Sequence, residues 1–130
     1  MDGPDREQFC YLTTTGRVSG RPHTIEIWFA RHGTTLYLLS GGGGRADWVR
    51  NLRREPRVTV RIGRRDRPAL AARARVLEPG SPEDQEARRL VYDKYQAGYG
   101  GDLTRWRDTA LPVAVDLDDR QAGSQGSLQP

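Results

Sequence analysis

Residues 57–62 read Arg-Val-Thr-Val-Arg-Ile. On an extended chain Val58, Val60 and Ile62 share one face, and Arg57, Thr59 and Arg61 share the other. That period of two is the mark of a strand with one dry side and one wet side. The same period runs through Thr24–Ala30, where Ile25, Ile27 and Phe29 alternate with Thr24, Glu26 and Trp28. Further strands are expected at Phe9–Thr14, Thr35–Ser40, Ala69–Leu77 and Leu111–Leu117. His32-Gly33 marks a tight turn and Gly63–Pro68 a charged one, so the first three strands are expected to form two successive hairpins. A short open sheet would leave unprotected edges. The expected fold is therefore mainly β (α+β), a six-stranded antiparallel barrel with two or three short helices.

The helices have their own signals. Ser81-Pro82-Glu83-Asp84 supplies an N-cap, a proline at the first helical position and acids in the first turn. That helix is expected to run to about Gln96 and to end near Gly98. Another is expected over Arg45–Glu55, with Ala46, Val49 and Leu52 on one face and Pro56 as its stop. A short amphipathic piece is expected around Asp102–Asp108. The domain is thus expected over residues 9–118, between a polar segment at 1–8 and a Gly/Ser/Gln-rich, disordered tail at 119–130.

The 130 residues are only 35% hydrophobic, with a mean hydropathy of −0.77. Such a chain builds a thin core, which a cofactor or a second copy in a homodimer would help to complete. No stretch reaches the ~18 apolar residues that span a bilayer, and Met1–Gln8 lacks the apolar run of a signal peptide. The single cysteine, Cys10, rules out an internal disulfide. A cytoplasmic location is expected, with peripheral membrane contact left open.

The formal charge is +4, and the basic residues are arginines except for Lys94. Nine of them fall between Arg45 and Arg67. A field of guanidinium groups suits a phosphate or carboxylate partner, and a solvated basic face would look the same. Nucleic acid is not expected, because the segment lacks the interleaved aromatics on which single strands stack.

Three constellations bear on chemistry. Thr13–Pro22 (TTTGRVSGRP) packs hydroxyls, two arginines and two glycines into one link, which reads as an anion-binding loop or as a polar hairpin loop. Ser40-Gly41-Gly42-Gly43-Gly44 runs into the expected helix at Arg45, so bare N–H groups would stand at a helix start, ready for an anion or a heterocycle carbonyl. Trp48 on that helix could close over a ligand or pack in the core. The third is Tyr92, Tyr95, Tyr99 and Trp106, a set that could roof a substrate pocket and supply a phenolic proton donor, or pack the helix on the barrel. His23 and His32 show no metal-ligand spacing with Cys10, so no metal is expected. With no nucleophile elbow and no carboxylate pair, an enzyme of this sequence would leave the hard chemistry to a cofactor.

Taken together, TTTGRVSGRP, Ser40 with its glycines, Asp47–Leu52 (DWVRNL), Pro56 and Val58-Thr59-Val60 resemble the deazaflavin-dependent nitroreductase family. That family belongs to the flavin and deazaflavin oxidoreductases with a split β-barrel, relatives of pyridoxamine-phosphate oxidase. The likeness covers about residues 9–62 and extends weakly through Leu111–Val115. It implies the FMN-binding type of split barrel and coenzyme F420 as cofactor, with FMN as the alternative. It implies that Arg17, Ser19, Gly20 and Arg21 hold the phosphodiester, with Thr14 beside them. Ser40, Gly41, Gly42, Gly43 and Gly44 would lie along the deazaflavin ring, with Trp48 and Asn51 nearby. Members often carry a lysine where Gly41 stands here. The implied reaction is hydride transfer from the reduced deazaflavin to a small organic acceptor (a quinone, enone or nitroaromatic). The proton would come from solvent or from Tyr92, Tyr95 or Tyr99. Near-attack positioning can itself supply ~7–11 kcal/mol. The remaining alternative is a split barrel recruited to a non-redox biosynthetic or ligand-binding role.

Overall fold

The computed structural model describes residues 7–118; the expected tail at 119–130 and most of the 1–8 segment lie outside the described residues. Seven strands form one antiparallel sheet: β1 (Cys10–Thr15), β2 (Pro22–Ile27), β3 (Ala30–His32), β4 (Thr35–Ser40), β5 (Arg57–Ile62), β6 (Leu70–Val76) and β7 (Leu111–Leu117). The helices are α1 (Asp47–Arg54), α2 (Pro82–Tyr99) and α3 (Thr104–Thr109). Ser81 caps α2 by accepting the Asp84 N–H, and Gly100 ends it in the left-handed region at φ 86°.

The strand order is β2-β1-β5-β6-β7-β4-β3. The two outermost strands are consecutive in the chain and are separated only by Trp28 and Phe29. Ile27 is the last residue paired with β1, and Ala30 is the first paired with β4. One extended segment therefore leaves one end of the sheet and enters the other, which curls the sheet on itself into a barrel split at that point. The expected continuous strand over Thr24–Ala30 is thus two strands, and the count is seven rather than six. The side-chain alternation runs through the break, with Ile25, Ile27 and Phe29 all against the inner core.

Breaking the ladder leaves the Phe29 backbone to be satisfied by side chains. The buried Tyr95 hydroxyl accepts the Phe29 N–H at 3.0 Å. It lies 2.9 Å from the Phe29 carbonyl and 2.7 Å from the Gln8 carbonyl, two acceptors for its single proton. Lys94 donates to the Phe29 carbonyl at 2.8 Å, with its ammonium 3.7 Å from the Phe29 ring centroid. Trp28 stacks flat on the Tyr95 ring, centroids 4.2 Å apart. Helix α2 thereby clamps the closure.

The inner core holds Cys10 and Leu12 from β1, Leu36 and Leu38 from β4, Val58 and Val60 from β5, Val113 and Val115 from β7, and Val49 and Leu52 from α1. A second cluster lies outside the sheet, where Ala30, Tyr37, Leu39 and Ala114 meet Ala87, Val91 and Tyr95 of α2. Strands β4 and β7 are therefore covered on both faces, which accounts for the near-continuous apolar runs TLYLLS and LPVAVDL. Strand β5 has only its inner face covered and keeps its clean alternation. Burial pushes the Cys10 thiol up to about 12, so it remains a neutral core residue. No described helix is long and apolar enough to cross a membrane.

The N-terminal end of α2 is tied to the sheet by one polar knot. Arg75 of β6 bonds both Glu83 oxygens at 2.7 Å and Asp116 of β7 at 2.7 and 3.2 Å. Tyr37 donates to Glu83 and Thr35 to Asp116, each at 2.8 Å. Hydrogen bonds from Arg75 hold both carboxyls below their usual range. Burial, with the Glu83 bond, pushes the Tyr37 phenol up to about 12.

Two outcomes are expected. Tyr95→Phe leaves the buried Phe29 N–H unpaired and should cost ~1–3 kcal/mol in urea unfolding, whereas Tyr92→Phe should cost little. The depressed carboxyls stabilise the fold at pH values above their unfolded pKa of about 4, and lose that contribution as pH falls through their lower folded values. The melting-temperature gap between wild type and Arg75→Gln should therefore be full at neutral pH and close below about pH 4.

Candidate functional site

The link between β1 and β2 is a hydrogen-bonded loop. The Gly16 N–H donates to the Arg21 carbonyl and the Gly20 N–H to the Gly16 carbonyl, both at 2.8 Å. Gly16 lets the loop close tightly, because a Cβ there would stand 2.7 Å from His23 Nε2 and 2.8 Å from Ser19 Oγ and would push those side chains aside. Gly20 adopts φ 75°. Ser19 Oγ accepts the Arg21 N–H at 3.1 Å, and Val18, Ser19, Gly20 and Arg21 are all exposed.

Arg17 turns the other way, toward α1. Its backbone N–H donates to Asn51 Oδ1 at 3.1 Å and its Nη1 to the same oxygen at 2.8 Å. Nη2 reaches Asp47 Oδ1 at 3.1 Å, and Nη1 the Asp47 carbonyl at 3.5 Å. Asn51, only 3% exposed, donates through Nδ2 to Thr14 Oγ1 at 3.2 Å. One amide thus joins the end of β1, the loop and the helix. Three of the five guanidinium N–H groups of Arg17 are engaged in these bonds, which leaves two.

The glycine run does not lead straight into a helix at Arg45. Gly43–Arg45 forms a single 3-10 turn, with Arg45 N–H to the Gly42 carbonyl and Ala46 N–H to the Gly43 carbonyl. Ala46 is extended at ψ 140°, so α1 begins at Asp47. Gly43 holds φ 63°, and the buried Ser40 hydroxyl closes the turn on the Gly43 carbonyl at 3.0 Å. Helix α1 starts without a side-chain cap, and its first N–H groups stand beside the glycine turn. Trp48 packs against the inner core.

The three tyrosines part company. Tyr95 is buried, its hydroxyl is committed to the barrel closure, and burial raises its pKa. Tyr92 lies beneath the Arg107 guanidinium, 4.6 Å from its ring centroid. Tyr99 is 50% exposed and lines a hollow of about 570 Å³ with Trp28, Trp106, Leu103, Asp102 and Arg105. Trp28 anchors that wall, with Tyr99 and Trp106 edge-on at 5.8 and 5.7 Å. Sequence reasoning passed over Trp28. Its signal was a large aromatic on the otherwise polar phase of the Thr24–Ala30 alternation, which needs something to cover it. The wall meets the glycine turn, since Gly41 faces the Trp106 indole. A larger groove of about 860 Å³ lies on the other side of the loop, lined by Thr13, Thr15, Gly20, Thr59, Arg57 and Arg73 among others.

The profile of the family described as F420H(2)-dependent quinone reductase matches residues 5–118. Among solved structures, one described as an F420-H2 dependent reductase is 21% identical with a TM-score of 0.64, over 85% of this chain and 93% of that one. Another, described as an F420 reductase, is 23% identical with a TM-score of 0.61, over 88% of this chain and 89% of that one. A putative pyridoxamine 5'-phosphate oxidase from Listeria innocua is 22% identical with a TM-score of 0.62, over 88% and 87%. At these identities the three structures establish the split-barrel fold.

Asn51→Ala removes the partner of the Arg17 amide and of the buried Thr14 hydroxyl together. It should cost ~1–3 kcal/mol in chemical unfolding. Asp47→Ala breaks only an exposed pair and should cost at most ~1 kcal/mol.

Proposed function

The chain belongs to the F420H(2)-dependent quinone reductase family, and from that premise we propose that it reduces a small, flat acceptor, a quinone first and an enone or nitroaromatic by the same chemistry. The observation that carries this reading is that three surfaces meet along the glycine turn and the first turn of α1 that follows it. Arg17 reaches it from the exposed loop, the Gly41–Gly44 turn runs into it, and Trp106 stands against Gly41.

The residues fit coenzyme F420, the cofactor of this family. Its acidic end calls for guanidinium groups and bare N–H donors, and its flat ring calls for a surface without side chains. The exposed Arg21 guanidinium and Ser19 hydroxyl, on either side of Gly20, answer the first. Arg17 adds its two remaining N–H groups from a position fixed by Asn51 and Asp47. Gly41–Gly44 offer the second, and the uncapped start of α1 adds partial positive charge. Thr14 holds Asn51 and so acts on the loop from beneath. When bound, reduced F420 supplies a hydride from carbon 5 of its ring.

The remaining tasks fall to this chain. Trp28 and Trp106 present an apolar wall that displaces water from one side of the acceptor. Tyr99 is the one of the three candidate tyrosines whose ring lines that hollow, so its hydroxyl or solvent returns the proton to the acceptor oxygen. Tyr95 and Tyr92 support the wall from behind. Positioning can itself lower the barrier substantially, because holding two reactants in near-attack geometry is worth ~7–11 kcal/mol.

Titration of the purified protein with F420 and, separately, with FMN, followed by fluorescence, tests the reading. F420 should bind at micromolar or lower concentration, and FMN more weakly. Arg21→Ala should weaken F420 binding about tenfold or more, the worth of a charge-assisted hydrogen bond. Failure of wild-type protein to bind F420 would overturn it.

A further inference from the structure

The contact between the glycine turn and α3 carries more than a place on the map. A Cβ built on Gly41 would have Trp106 Nε1 at 3.6 Å and Cδ1 at 3.7 Å as its nearest neighbours. The indole therefore turns its N–H edge, not its benzene edge, toward the turn. That N–H donates to no group among the described residues, although the ring is half-buried. A half-buried donor without a protein acceptor is open to water or to a ligand that replaces it.

The ring is also held in place. Its face or edge meets Trp28 at 5.7 Å and an interplanar angle of 89°. Trp28 is in turn pinned flat on Tyr95, whose hydroxyl is fixed at the barrel closure. The Trp106 carbonyl accepts the Ala110 N–H, and the neighbouring Arg107 lies over Tyr92. Such a donor keeps its direction, which is what a positioning hydrogen bond requires.

Resting on the functional reading above, we propose that Trp106 is a ligand-binding residue of this site: its indole N–H donates to a carbonyl oxygen of the flat conjugated ring seated beside Gly41. Gly41 leaves the N–H uncovered, and Trp28 and Tyr99 supply aromatic rings beside it in a hollow that Asp102 and Arg105 also line. Both the deazaflavin and a quinone carry ring carbonyls, so either can be the acceptor of this bond.

Two variants test it. Trp106→Phe keeps an aromatic edge against Trp28 and removes the N–H. Gly41→Ala keeps the indole and covers its N–H edge with a methyl group at ordinary contact distance. Melting temperatures close to wild type establish that each variant is folded. Fluorescence titration then gives F420 affinity without acceptor, and steady-state assays at saturating F420H2 give KM for menadione. A loss of F420 affinity of about tenfold in both variants assigns the carbonyl to the cofactor. Unchanged F420 affinity with a KM for menadione raised about tenfold assigns it to the acceptor. Folded variants that match wild type in both readouts overturn the assignment and leave the reductase reading standing. Wild-type protein that does not bind F420 overturns both.

Discussion

The structure depends on how the Phe29 backbone is satisfied once it leaves the ladder. A sheet of this size with two open ends would expose two rows of unpaired donors and acceptors. Here the chain passes from one end to the other through two residues, so the sheet curls while β2 and β3 each keep one paired side. The cost is a local orphaning of backbone groups in a buried place, where an unmet hydrogen bond is at its most expensive. Tyr95 and Lys94 meet it from successive positions on α2. Everything nearby inherits its position from that bond: α2 on the outer sheet, Trp28 on Tyr95, and the aromatic wall on Trp28.

A second bracket sits at the opposite end of the candidate site. Asn51 is a neutral amide with a donor side and an acceptor side, and it uses both, on Thr14 and on Arg17. An aspartate could not donate to the threonine, and an aliphatic residue could do neither. The loop is thereby held to α1 by part-buried bonds from the Arg17 amide and guanidinium to Asn51, itself anchored on Thr14, while the exposed Arg17–Asp47 pair contributes little to stability. The same guanidinium that ties the loop to α1 keeps two N–H groups for a ligand.

Much of this was legible in the sequence, and the exceptions have physical causes. Alternation in Arg57–Ile62 located β5 to the residue, and Ser81-Pro82 located the start of α2. The break at Trp28–Phe29 was not legible, because side-chain period reports which face a residue occupies and not which strand its backbone pairs with. The glycine run was read as the start of a helix, but glycine backbones tolerate the tight 3-10 turn that delays it to Asp47. Tyr92, Tyr95 and Tyr99 looked equivalent because spacing along a helix does not say which phenol meets a broken strand. The knot around Arg75 joins residues up to 81 positions apart, and no local pattern announces it.

The lysine at the closure has one more consequence. Lys94 is the only side-chain amine in a chain otherwise supplied with arginine, and its ammonium is occupied by the Phe29 carbonyl and ring. An amine-directed reagent consequently has a single side-chain target, and it sits at the closure itself, so a label placed there reports on the surroundings of the Phe29 crossing.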